Sequence, residues 1–163
     1  MPGYGIGEAA TTLVGQSRGA GRMDVCRSFA YLTVGIGMLV MAVMGLVMYV
    51  FAPEMMSVLT PVPAIHDMGV MCLRIEAFAE PMFAASIVVY SVCVGVGDTL
   101  RPVIINLISM WCVRLSMAAA LAPRYGLRGV WIAMAVELTF RGLMYLIRLF
   151  RGRCMTRGAV KIN

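Results

Sequence analysis

Between Phe29 and Phe51 the chain runs 23 residues without one charged side chain. A helix rises about 1.5 Å per residue, so this stretch reaches across the hydrocarbon core of a bilayer, about 30 Å thick. It is rich in Met, Val, Leu and Gly, as a lipid-spanning helix can be. The rest of the chain agrees. Of 163 residues 61% are hydrophobic and 13% charged, with a mean hydropathy of +0.86, against about 45–50% and 25% in soluble domains. A disordered tail, a collagen-like rod and a disulfide-stapled secreted domain are excluded. So few charges could not cover a soluble enzyme. Transmembrane β-strands alternate apolar and polar positions, and these runs do not. The class is all-α integral membrane protein.

Three further runs read as spans: Gly69–Val96, Pro102–Ala122 and Gly129–Leu149. Residues 3–17 are too short and glycine-rich to cross alone and read as part of an incoming helix. The expected organisation is a partial helix and turn over 1–28, four transmembrane helices over 29–150, and a basic tail over 151–163. Pro53, Pro61 and Pro63 bracket a longer loop ending near His66 and Asp67. Arg18, Arg22, Arg27, Arg101, Arg148, Arg151, Arg153, Arg157 and Lys161 fall on one side, and only Arg124 and Arg128 on the other. By the excess of basic residues in cytoplasmic loops, the larger group faces the cytoplasm, with the C-terminus inside. The net charge of +6 thus reports topology, and no nucleic-acid partner is expected. Cys26, Cys72, Cys93, Cys112 and Cys154 have no CxxC spacing and read as small packing residues. With His66 the only histidine, no metal site is expected.

Two segments carry a resemblance. Gly7-Glu-Ala-Ala-Thr-Thr-Leu-Val-Gly-Gln-Ser-Arg-Gly-Ala-Gly21 is similar to the A-x-x-x-L-V-G-Q-x-x-G-A-G signature of multidrug and toxic compound extrusion (MATE) transporters. Gly95-Val-Gly-Asp-Thr-Leu-Arg-Pro102, Trp111-Cys-Val-Arg-Leu115 and Gly126-Leu-Arg-Gly-Val-Trp-Ile-Ala133 resemble that family's C-terminal lobe. The family has twelve helices in two six-helix lobes, and the resemblance places this chain from the second half of helix eight through helix twelve. It implies four complete helices plus a partial one, a missing N-terminal lobe or complementary chain, and cytoplasmic termini. It also implies a cation-coupled antiporter of the cell membrane, using Na⁺ or H⁺ to expel cationic or amphipathic organic compounds, with no other cofactor. Cys93 and Val94 depart from the usual Leu-Arg of the helix-ten ending, and Ser116 from the usual helix-eleven proline. The position of the cation-binding aspartate found in some members falls near Phe83.

Charge within spans costs several kcal/mol, so each such residue needs a role. Arg74, Arg114 and Arg141 balance Glu76, Glu80 and Glu137. Glu137 and Arg141 are i,i+4 in the favourable order and read as a self-neutralising structural pair. Arg74 lies near its span's outer end and can snorkel. Arg114 has no acid on its own helix and is expected to meet a glutamate or backbone carbonyls of a neighbour. Glu76 and Glu80 are the candidates for proton or cation coupling, or Glu80 pairs with Arg114 and fastens two helices. Pro81 cannot donate to the Ala77 carbonyl, which leaves that oxygen free beside both acids. Glu76, Glu80, Phe83, Ile87 and Tyr90 share a helical stripe and are expected to face one cavity.

Gly35, Gly37 and Gly45 read as close-approach points between helices, and Trp111 and Trp131 as packing residues. No serine is placed with His66 inside a span, so no intramembrane protease, and no enzyme of any kind, is expected. Two alternatives to drug efflux are a related flippase for lipid-linked saccharides, expected to line its groove with several arginines, and a non-transporting accessory membrane subunit.

Overall fold

A computed structural model describes residues 2–152 and 154. The chain folds as helices: α1 (Pro2–Gly19), α2 (Met23–Val50), α3 (Ala52–Leu59), α4 (Pro63–Gly95), α5 (Leu100–Ile108), a π-helical segment (Ser109–Leu115), α6 (Ser116–Tyr125) and α7 (Leu127–Phe150). The stretch from Leu100 to Tyr125 is continuous, so four helices are long and apolar enough to cross a membrane. No strand occurs among the described residues. Most of the expected basic tail, including Arg153, Arg157 and Lys161, lies outside the described residues.

The helix α4 is the hub, packed against α1, α2 and α7, while the Leu100–Tyr125 span rests on α7. Small residues allow these crossings. A Cβ added at Gly37 would come within 2.9 Å of Val88, and one at Gly45 within 2.8 Å of the Ala77 carbonyl oxygen. Gly35 differs from the expectation: nothing lies within 4 Å of its added Cβ, because it points away from α4. Around these crossings a core of Ala10, Val14, Ala30, Val34, Val88, Val92 and Leu149 closes. Cys26, Cys93 and Cys154 are buried in it and Cys72 is buried on α4, as a packing role requires, whereas Cys112, in the π segment, is exposed and departs from that expectation.

Three boundaries differ from the sequence expectation. Residues 2–19 form one helix of 18 residues, about 27 Å at the usual rise. Its glycines do not break it, because Gly3 and Gly7 are buried against Met41 and Ser91, so tertiary packing outweighs their low propensity. The proline-bracketed loop shrinks to residues 60–62. Pro53 and Pro63 each occupy a first helical turn, where the missing N–H costs nothing and the fixed φ is already helical. His66 therefore lies in the opening turn of α4, its Nε2 3.1 Å from the Pro53 carbonyl oxygen.

One end of the bundle gathers the larger basic group. Arg18 donates to the Val96 carbonyl, and Arg148 pairs with Asp98 at 2.5 Å. These contacts bring the end of α1, the end of α4 and the end of α7 together, with the α1–α2 turn at the same level.

Candidate functional site

The two acids of α4 lie near the middle of that 33-residue helix, one turn apart and half-buried. The Oε2 atoms of Glu76 and Glu80 are buried without a hydrogen-bond partner among the described residues. The Ala77 carbonyl released by Pro81 is not open beside them. It faces Gly45 of α2, whose missing side chain makes the room. The Cβ of Glu80 packs at the same crossing, 3.3 Å from where a Gly45 Cβ would stand.

Arg114 pairs with no carboxylate within 4.0 Å among the described residues. It donates instead to the Met134 thioether on α7, so the expected Glu80–Arg114 fastening is absent here. A carbonyl is not its partner either. Arg114 sits in the π segment, and such bulges arise where the regular hydrogen-bond ladder gives way. Trp111, in the same segment, is 63% exposed and does not pack inward as expected. Arg74 lies over the Tyr49 ring, 5.2 Å from its centre, and Phe78 meets that ring edge-on.

Phe83, Ile87 and Tyr90 do line one cleft, of about 350 Å³. Glu76 and Glu80 are not in its wall, so the stripe divides between the aromatic residues that line the cleft and the two acids that do not. Ser86 and Ser91 of α4, Tyr4 of α1, Asn106 of α5 and Arg141 of α7 complete the wall. Arg141 is the one charged side chain lining it.

Glu137 and Arg141 pair as their spacing implies, Nε to Oε1 at 3.5 Å. Two further features were not visible in the chain's pattern. Ser109 Oγ donates to the same Glu137 oxygen at 2.7 Å, and both residues are buried. Tyr145, fully buried, has its hydroxyl 2.9 Å from both the Pro102 carbonyl oxygen and Asn106 Oδ1. Asp98, Pro102, Asn106 and Ser109 thus face Arg148, Tyr145 and Glu137 in antiparallel order. Asp98 lies in the turn before α5; the spacings of four and three from Pro102 to Ser109, and of three and eight on α7, each select one helical face. Only the Glu137–Arg141 spacing is local enough to read without the fold.

A polytopic helical membrane protein with acids and arginines set among its spans, and an aromatic cleft between them, has the build of a membrane transporter lobe. The MatE family profile matches residues 1–120, and the chain belongs to the MatE family. A probable multidrug resistance protein NorM of Thermotoga maritima is 27% identical over 162 residues, covering 98% of this chain and 35% of its own length. The protein of the same name from Chromobacterium violaceum is 30% identical over 162 residues, covering 91% and 34%. The uncharacterized transporter YisQ of Bacillus subtilis is 24% identical over 157 residues, covering 93% and 33%. The chain spans about a third of the length of the curated relatives it matches.

Proposed function

We propose that this chain forms the C-terminal part of a multidrug efflux antiporter that exports cationic or amphipathic compounds in exchange for Na⁺ or H⁺. The names carried by its relatives and the family match support this reading. In it the chain works with an N-terminal lobe or a complementary chain in the cell membrane, its larger basic group on the cytoplasmic face. Glu80, with Glu76, carries the coupling ion. One observation bears the weight: both acids hold a buried oxygen with no hydrogen-bond partner among the described residues. A bare carboxylate oxygen out of water is costly, and acids inside membranes mark ion and proton paths. A proton or a sodium ion relieves that cost. Binding and release of such an ion can therefore favour one arrangement of α4 against α2 over another.

The test joins this chain to the two-thirds of the Thermotoga maritima relative that it does not match. Everted vesicles carrying the hybrid are loaded with a proton or sodium gradient, and ethidium transport is followed. Gradient-dependent transport that disappears in Glu80→Gln is the expected result. Transport at the same gradient dependence in Glu80→Gln removes Glu80 from coupling.

A further inference from the structure

At the end of the bundle where Asp98 meets Arg148, a second hollow of about 260 Å³ lies between α5 and α7. It shares no lining residue with the aromatic cleft. Its floor is aliphatic, made by Ile105 of α5 and by Met144 and Ile147 of α7, and its rim is basic, made by Arg148 and Arg151. Met144 and Arg148, like Ile147 and Arg151, stand four residues apart, so one face of α7 passes from apolar to basic over about 10 Å. Arg101 shares the α5 face of Ile105, one turn nearer the same end.

Counter-ions are scarce at this rim. Arg148 is turned inward, its guanidinium 2.5 Å from Asp98. Arg101 and Arg151 have no carboxylate within 4.0 Å among the described residues. The chain has little to bring to them: no acid stands between Thr99 and Val136, and none follows Glu137. Glu137 itself is buried about three turns back along α7, beside Ser109 and Arg141. Arg101, Arg148 and Arg151 against Asp98 therefore leave an excess of positive charge. The floor is open as well, with Met144 38% and Ile147 43% exposed. An arginine fork takes two phosphate oxygens in parallel. A small soluble anion would match the rim and leave the floor bare, whereas a phospholipid joins a phosphate to acyl chains. Basic hollows between membrane helices at the headgroup level suit anionic lipids for this reason.

We propose that this hollow holds one anionic glycerophospholipid, its phosphate on Arg151 and Arg101 and the first part of an acyl chain along Ile105, Met144 and Ile147. The lipid bridges α5 and α7 beside the Arg148–Asp98 pair and supplies the negative charge that the rim lacks. The site is distinct from the two acids of α4 and from the aromatic cleft, and it stands whether or not the efflux reading holds.

The complete chain in detergent is titrated with phosphatidylglycerol and with phosphatidylcholine of the same acyl chains, and bound lipid is counted by native mass spectrometry. One phosphatidylglycerol per chain is expected to be retained at least about five-fold more tightly than phosphatidylcholine, the scale of one basic side chain near an anionic headgroup. Arg151→Gln, an exposed change beyond the end of α7, is expected to weaken phosphatidylglycerol about five-fold, and Arg101→Gln/Arg151→Gln to erase the preference. Met144→Trp fills the floor with every charge kept and is expected to weaken phosphatidylglycerol too. Arg124→Gln/Arg128→Gln, which removes as much charge between α6 and α7 at the far end, is expected to leave the preference intact. Excess glycerol 3-phosphate is expected not to displace the lipid. Equal retention of the two lipids, a preference that survives Arg101→Gln/Arg151→Gln, or one lost equally in Arg124→Gln/Arg128→Gln overturns the proposal. So does an unchanged affinity in Met144→Trp. Displacement by glycerol 3-phosphate assigns the rim to a soluble anion and overturns the lipid assignment.

Discussion

Ser109 and Glu137 meet across two helices, the serine hydroxyl donating to the carboxylate at 2.7 Å with both residues buried. This bond joins the π segment to α7, and it sits in line with Tyr145 on Asn106 and Arg148 on Asp98. Among the described residues the Leu100–Tyr125 span packs chiefly on α7. Apolar burial drives helix association weakly in lipid, so packing and interhelical hydrogen bonds carry it. The polar row, together with the close approach of Leu121 to Gly129, seats this span on α7.

Breaking the row should loosen the span. Ser109→Ala leaves one Glu137 oxygen with only the longer Arg141 contact, and a cost of about 1–3 kcal/mol is expected for a buried group losing its partner. Thermal unfolding in detergent should show a lowered midpoint for this variant.

Tyr145→Phe removes a buried hydroxyl from the Pro102 carbonyl and Asn106. Hydrogen bonds between helices in membranes average about 0.6 kcal/mol, so a smaller loss than at Ser109 is expected. Hydrogen exchange at the amides of α5 should speed up while those of α2 stay protected.

The charge pair on α7 should be strongly non-additive. Arg141→Ala leaves Glu137 buried without its cation, and Glu137→Ala leaves Arg141 alone, each costing about 3–5 kcal/mol. The double variant, which buries no net charge, should recover much of either loss. A double-mutant cycle on unfolding midpoints gives the coupling directly.

Gly45→Val and Gly35→Ala form a matched contrast. A Cβ at Gly45 would stand 2.8 Å from the Ala77 carbonyl oxygen, which is backbone and cannot swing aside. Separation of α2 from α4, read as a lowered unfolding midpoint and a lost cross-link between cysteines placed on the two helices, is expected there. Gly35→Ala meets nothing within 4 Å and should leave both unchanged.

The spans were legible because a run such as Phe29–Phe51 has one physical solution. The signature around Leu13-Val-Gly-Gln16 was legible as a family resemblance. The Glu137–Arg141 pair was legible because both members lie on one helix. What failed was non-local. Glu76 and Glu80 do not line the cleft, because they stand one to two turns along α4 from Phe83, beyond its end, which a stripe count cannot tell. Arg114 found a thioether since the π segment turns it onto Met134. The Ala77 oxygen is covered by Gly45, a residue 32 positions away. Gly3 and Gly7 weaken a helix in isolation, yet they let α1 press against α2 and α4.

The central claim is that an ion carried on Glu80 drives transport. It is tested most directly by ethidium movement in everted vesicles holding the hybrid of this chain with its Thermotoga maritima relative. The claim predicts transport that follows the imposed proton or sodium gradient, with that dependence lost in Glu80→Gln at equal membrane abundance. The same gradient dependence in Glu80→Gln would contradict it.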